Sequence, residues 1–428
     1  MTVSSPAPAP VPGPTAPAPA FDAAATEAAF DALTPEAMRQ RGSLKWSMYP
    51  GDVIGAWVAE MDLGTAPSVT AVLQRAVTDG SYGYLPPHVG RAAQEETARF
   101  QREVFGWRVD ARDVSLLPDV LSALGAVIAH HTRPGSPVIV PTPAYMPFLS
   151  IPGRYGRECV QVPALRGPGT AVSVGGAASV SWALDLDRIE AAMADGAGLL
   201  VLCNPWNPVG RVLPAAELDA VAELSARYRV PVFADEIHNS LILDPQTAHI
   251  PYASRSGADP DLTFTATAAS KGWNTPGLKC AQLIASAGAR RAWEDSPLSR
   301  HLANEASLLG ARATVAALRD GREWNACVRA YVRNNAQLVE QALSAVDGVE
   351  LTVPSGTYLA WLDCSGLPLP DGVSPADFFR REPGVAMNAG AAFGVGYESY
   401  CRLNLATGRR IEEQTVQRLV DAVARLRA

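Results

Sequence analysis

The sequence has no surplus of positive charge: 36 Lys and Arg stand against 43 Asp and Glu, a net charge of −7. No basic block or aromatic–basic stripe breaks that balance, which argues against a nucleic-acid partner. Paired cysteines are also lacking. The six that occur (Cys159, Cys203, Cys280, Cys327, Cys364, Cys401) are scattered with no C-x-x-C pair. Neither a disulfide framework nor a zinc site is therefore expected, and reduced thiols in a cytoplasm fit better. His130 and His131 are adjacent, a poor spacing for ligation, and nothing reads H-E-x-x-H, so no metal is expected. No apolar run is long enough to span a bilayer. Nucleotide cofactors lack support as well, because neither G-x-x-x-x-G-K-[ST] nor a strand-linked G-x-G-x-x-G occurs.

What is present describes a globular chain of two lobes. Its 428 residues exceed one ordinary domain, and 48% hydrophobic with 18% charged residues is ordinary for a soluble protein. The first twenty residues, "MTVSSPAPAPVPGPTAPAPA", hold seven prolines and five alanines, and the first basic residue is Arg39. That segment has no amphipathic period and no signal-peptide pattern. Residues 1–26 are expected to form a disordered Pro/Ala-rich tail on a cytoplasmic protein.

From about residue 115 short apolar runs alternate with helical patterns, the rhythm of a parallel α/β sheet. "SPVIVPTPAY" (136–145), "GLLVLCNPWNPVGRV" (198–212), "VPVFADEIHNSLI" (230–242) and "LTFTATAASK" (262–271) read as strands. Polar groups appear as each run ends: Tyr145; Asn204 and Asn207; Asp235 with His238; Lys271. In open parallel sheets ligands bind outside the carboxyl ends of the strands, so these groups are expected to converge on one edge. Taken singly each has a plainer reading as a turn, a helix cap or a solvated lysine.

Pyridoxal phosphate needs this set: a lysine for its Schiff base and an acid that keeps its pyridine nitrogen protonated. It also needs a donor to its phenolate oxygen, an aromatic face and an anion cradle. Lys271, Asp235, Asn207 and Tyr145 meet the first four needs. "LLPDVLSALGAVIAHH" (116–131) reads as Asp119 capping a helix whose first amides, at Val120 and Leu121, face outward as an anion site. Ser270 and Lys279 add a hydroxyl and a charge.

These residues sit in motifs that resemble a known family. "LKWSMYPGDVIGAWVAEMDLGTAP" (44–67), "YGY" (82–84), "PTPAYMPF" (141–148), "CNPWNPVGRV" (203–212), "DEIH" (235–238), "SKGWNTPGLKCAQL" (270–283), "MNAGAAFG" (387–394) and "CRLNLA" (401–406) carry the likeness. It extends from about residue 38 to the C-terminus. The chain resembles fold-type I pyridoxal-phosphate enzymes of the aminotransferase class I/II superfamily, and within it the MalY/PatB-type cystathionine β-lyases, or C–S lyases. "DEIH" with "WVAEMDL" upstream favours the lyase branch.

The resemblance implies an aspartate-aminotransferase-like α/β fold. A large cofactor-binding domain with a mainly parallel sheet would span 76–304. A smaller α+β domain would combine 27–75 with 305–428. Lys271 would be the Schiff-base lysine and Asp235 the partner of the pyridinium. Asn207 would contact the phenolic oxygen, Tyr145 would stack on the ring, and His238 would stand beside the cofactor. Tyr84 would reach the phosphate of a neighbouring subunit's cofactor, which implies a homodimer with shared sites. Arg402 would grip the α-carboxylate of a small amino-acid substrate, backed by main-chain donors around Ala59. Trp206 stands where many relatives carry histidine, predicting a bulkier wall beside the substrate. Ala268 stands where many have serine, so one phosphate hydroxyl is missing.

The activity implied is α,β-elimination from a cysteine S-conjugate, releasing a thiol, pyruvate and ammonia. An aminotransferase would use the same lysine, aspartate, tyrosine and arginine. Decarboxylation-linked deamination of an S-substituted cysteine would use the same cofactor, and a non-catalytic regulator would keep only the fold.

Overall fold

The computed structural model describes residues 21–172 and 178–428. Helix α1 (Ala23–Asp31) opens the described chain, with the Asp22 carboxylate accepting the Ala25 N–H at 2.9 Å. The expected tail therefore gives way to a capped helix by residue 23, because Phe30 on this helix is buried against Trp324 and Tyr331. Residues 1–20 of that expectation lie outside the described residues. Helices α2 (Pro67–Thr78) and α3 (Pro87–Phe105) follow.

The central layer is a seven-stranded sheet built from β1 (Val114–Leu117), β2 (Val138–Thr142), β3 (Cys159–Pro163), β4 (Leu199–Cys203), β5 (Val232–Asp235), β6 (Thr263–Thr267) and β7 (Ala281–Ile284). Its order is β1-β7-β6-β5-β4-β2-β3. The pairs from β3 through β6 are parallel; β7 runs antiparallel to both β6 and β1. Strands β2, β5 and β6 are buried at every position, as near-continuous apolar or β-branched runs require when both faces are covered. Helix α4 (Val120–His131) lies between β1 and β2 along the chain, and α5 (Ala215–Tyr228) between β4 and β5. Leu218, Val221, Ala222 and Ser225 recur at helical spacing and bury the inner face of α5.

After the short helix α6 (Ala269–Gly272), α7 (Leu308–Asp320) and the long α8 (Arg322–Leu343) lead to a four-stranded antiparallel sheet. Its strands are β8 (Glu350–Thr352), β9 (Leu359–Asp363), β10 (Asn388–Ala389) and β11 (Tyr400–Asn404), in the order β8-β9-β11-β10. Helix α9 (Arg409–Arg427) closes the chain. One apolar core unites Phe30, Met61 and Val69 from the N-terminal segment with Trp324, Leu359, Leu403 and Leu419. None of the described helices is long and apolar enough to cross a membrane.

Beneath α9 lies a buried charge cluster. Lys45 Nζ pairs with Asp62 Oδ2 at 2.8 Å, and the Trp46 indole donates to Asp62 Oδ1 at 2.7 Å. Glu412 is fully buried nearby with neither carboxyl oxygen hydrogen-bonded. Burial pushes its acid up to about 8, against the pull of Lys45 and with help from Asp62. The folded protein therefore holds a proton on Glu412 that the unfolded chain releases near the ordinary glutamate value. Stability falls as pH rises from that value through 8, by at most about 1.4 kcal/mol per pH unit. Glu412→Gln should remove this loss. Melting curves from pH 5 to 9 should show the variant gaining on the wild type up to pH 8 and holding level above it; parallel curves would refute the assignment.

Candidate active site

Four parallel strands and one helix N-terminus deliver the polar groups to one edge of the sheet. Strand β5 ends on Asp235, whose Oδ1 accepts the Ile237 N–H at 3.1 Å. Burial pushes this carboxyl up to about 7, which the Ile237 N–H and the Lys271 charge offset only in part. A carboxyl so placed favours a cationic N–H beside it. Strand β6 runs into α6, which carries Lys271. Its Nζ donates to the Ala59 carbonyl at 2.7 Å. Burial lowers the amine to about 8, aided by the Arg402 charge and opposed by Asp235 and Glu60.

Lys271's small neighbours have two different causes. Ala268 lines the cavity beside the amine. Ala269 instead packs into the core, and a Cβ on Gly272 would meet Ser240 Oγ at 2.2 Å.

A cavity of about 180 Å³ gathers Ala59, Val120, Leu121, Tyr145, Asn207, Asp235, His238, Ser270, Lys271 and Lys279. Asn207 Oδ1 accepts from Arg402 Nη1 at 3.0 Å, which leaves its amide N–H₂ as the group offered to the cavity. The Tyr145 ring is braced edge-on by Phe148 at 5.5 Å. His238 is buried with Nδ1 unpartnered, and burial together with the Lys271 and Arg402 charges holds its imidazole neutral well below the usual histidine range. Helix α4 points its N-terminus at the cavity. Asp119 caps it by accepting the Ser122 N–H at 2.9 Å and pairs with Lys279 Nζ at 3.2 Å.

Two sequence expectations, for Trp206 and Ala59, are placed differently. Trp206 does not line this cavity. Its indole donates to the Pro143 carbonyl at 2.8 Å and its ring packs into the core with Leu202, Leu218 and Phe393, so it is no wall beside a substrate. Ala59 contributes a carbonyl acceptor, because that oxygen is turned toward Lys271. Tyr84, 96% exposed, stands outside the cavity of its own chain.

Arg402 lies just behind the cavity wall on β11, an interior strand flanked by β9 and β10. Besides Asn207, its guanidinium donates to Asn388 Oδ1 at 2.6 Å and to the Trp57 carbonyl at 3.0 Å, 4.9 Å above the Phe393 ring.

Sequence reasoning missed the side chains that hold residues 57–61 over the site. Asn404 Nδ2 donates to the Val58 and Glu60 carbonyls at 2.6 and 2.8 Å. The Tyr358 hydroxyl donates to the Ala59 carbonyl at 3.0 Å. Asn274 bonds both the N–H and the carbonyl of Met61, each at 2.9 Å. The only sequence signal was that Asn274 and Asn404 lie inside motifs already singled out; Tyr358 reads as an ordinary strand tyrosine.

The donor set fits pyridoxal phosphate. It offers an amine, an acid that calls for a cationic partner, an amide donor, an aromatic face and a helix N-terminus flanked by a hydroxyl and an ammonium. Fold and site together define a fold-type I pyridoxal-phosphate enzyme. The chain belongs to the aminotransferase class I and II family, whose model matches residues 52–423. It is 34% identical to a cystathionine β-lyase of Corynebacterium glutamicum over 91% of this chain and 98% of the relative. Identity is 28% to cystathionine β-lyase PatB of Bacillus subtilis, covering 89% and 97% of the two chains. A solved structure from Corynebacterium diphtheriae, described as a putative PLP-dependent β-cystathionase, superposes with a TM-score of 0.82 at 34% identity, covering 92% and 98%.

Proposed function

We propose that the protein is a carbon–sulfur lyase that performs α,β-elimination on a cysteine S-conjugate, releasing a thiol, pyruvate and ammonia. The observation that carries this reading is the convergence of Lys271 and Asp235 on one cavity, in a chain paired along nine-tenths of its length with a relative named cystathionine β-lyase. Pyridoxal phosphate, when bound, supplies an electron sink for the pair left on the substrate's α carbon. Lys271 carries the cofactor and serves as the base for the α-proton, a task suited to an amine lowered to about 8. Asp235 keeps a proton on the cofactor's ring nitrogen. Asn207 donates to the phenolic oxygen, Tyr145 covers the ring, and neutral His238 packs beside it. The α4 N-terminus at Val120 and Leu121, with Ser270 and Lys279, holds the phosphate. Arg402 donates to the substrate carboxylate in place of its bond to the Trp57 carbonyl. The exposed Tyr84 completes the phosphate cradle of a second copy, so the enzyme works as a homodimer.

The test is a panel of cysteine S-conjugates incubated with purified protein, with products followed by mass. Pyruvate, ammonia and the free thiol are expected in equal amounts. Stoichiometric amino-group exchange with a keto acid, without pyruvate release, would replace elimination by transamination.

A further inference from the structure

We infer that Tyr358 is a positioning residue for the base, acting through the Ala59 carbonyl; this rests on the reading of Lys271 as the group that takes the α-proton. One backbone oxygen receives two side-chain donors, Lys271 Nζ at 2.7 Å and the Tyr358 hydroxyl at 3.0 Å. The two come from opposite parts of the fold. Lys271 rides on α6 at the end of a central-sheet strand, whereas Tyr358 leads into β9 of the four-stranded sheet. Tyr358 is only 1% exposed and its ring meets His238 edge-on at 6.2 Å, so its hydroxyl has a fixed origin. Neighbouring carbonyls of the 57–61 segment are held by Arg402, Asn404 and Asn274, but the Ala59 oxygen faces the amine. Tyr358 is its one protein tether besides the lysine among the described residues.

In the proposed step the α hydrogen passes as a proton to Nζ and the C–H bonding pair stays on carbon. The lysine becomes an ammonium at that moment. The charges around it are Arg402, which opposes it, and Asp235 and Glu60, which favour it. A carbonyl accepts a hydrogen bond more strongly from an ammonium than from an amine, so a fixed Ala59 oxygen stabilises the product of proton transfer. Preorganisation of that acceptor is the contribution of Tyr358.

The test is Tyr358→Phe, which keeps the ring and deletes the hydroxyl. Exchange of the α hydrogen of L-alanine with solvent deuterium reads the base without requiring a leaving group, so failure of the elimination reading does not disturb it. Exchange should fall about ten- to a hundredfold, with KM for alanine changed less than about threefold. In the cofactor-free protein, acylation of Lys271 by trace acetic anhydride, read by peptide mass, should be about threefold faster at pH 7, because an ammonium whose acceptor is no longer held in place titrates about half a pH unit lower. Exchange within about twofold of wild type, or unchanged labelling with only a lower melting temperature, would overturn the inference and leave Tyr358 as a core residue.

Discussion

Lys271→Ala should purify without the visible absorbance of lysine-bound cofactor and lose turnover by at least about 10³-fold. Two losses compound in one substitution, because the same amine is read as both the covalent anchor and the base. The structure makes a substitute base hard to find. His238 lines the cavity, but burial and the Arg402 charge, both kept in the variant, hold its basicity below the usual range. Lys279 is more than half exposed and already paired with Asp119 at 3.2 Å. Folding should survive, since Ala269 and Gly272 on either side make the core contacts. The measurement is an absorbance scan of wild type and variant with added pyridoxal phosphate, followed by the conjugate assay. A wild type that gains no band would sink the assignment of Lys271, and so would a variant with substantial turnover.

Asp235→Asn should still fold and bind cofactor but turn over about 10²–10³-fold more slowly, a barrier increase of about 2.7–4 kcal/mol. Asp235 sits where burial makes its charge costly, and Oδ1 already has the Ile237 N–H. A buried carboxyl pushed to about 7 is a poor structural element on its own. It becomes favourable when a cation stands beside it, and a protonated ring nitrogen is such a cation. Asparagine can accept the Ile237 N–H just as well, so a mere turn-capping role predicts near-normal kinetics for the variant. Steady-state rates with the best conjugate, alongside cofactor content from absorbance, separate the two readings.

Much of the site was legible in the sequence because a parallel sheet imposes a rule on it. Tyr145, Asn207, Asp235 and Lys271 lie at or just beyond the ends of β2, β4, β5 and β6, and strands laid side by side in one direction bring their carboxyl ends to a common edge. The helix-capping pattern at Asp119 was legible for the same kind of reason: an N-cap is a contact three residues long. These signals are local, and the fold only assembles them.

Tertiary structure decided the rest. Trp206 and Asn207 are adjacent, yet one ring enters the core while its neighbour's amide faces the cavity, and only the path of the turn after β4 sets which does which. Arg402 was recognisable by its motif, but its hold on the Trp57 carbonyl spans 345 residues of chain. Tyr358 reaches Ala59 across 299. Such contacts leave no period or spacing in a sequence, because the cost of closing so long a loop is met by the packing of whole sheets and not by the residues that finally touch. The sequence alone therefore determined the chemistry available at the edge of the sheet. Folding the N-terminal segment over that edge determined which carbonyl the Lys271 amine faces.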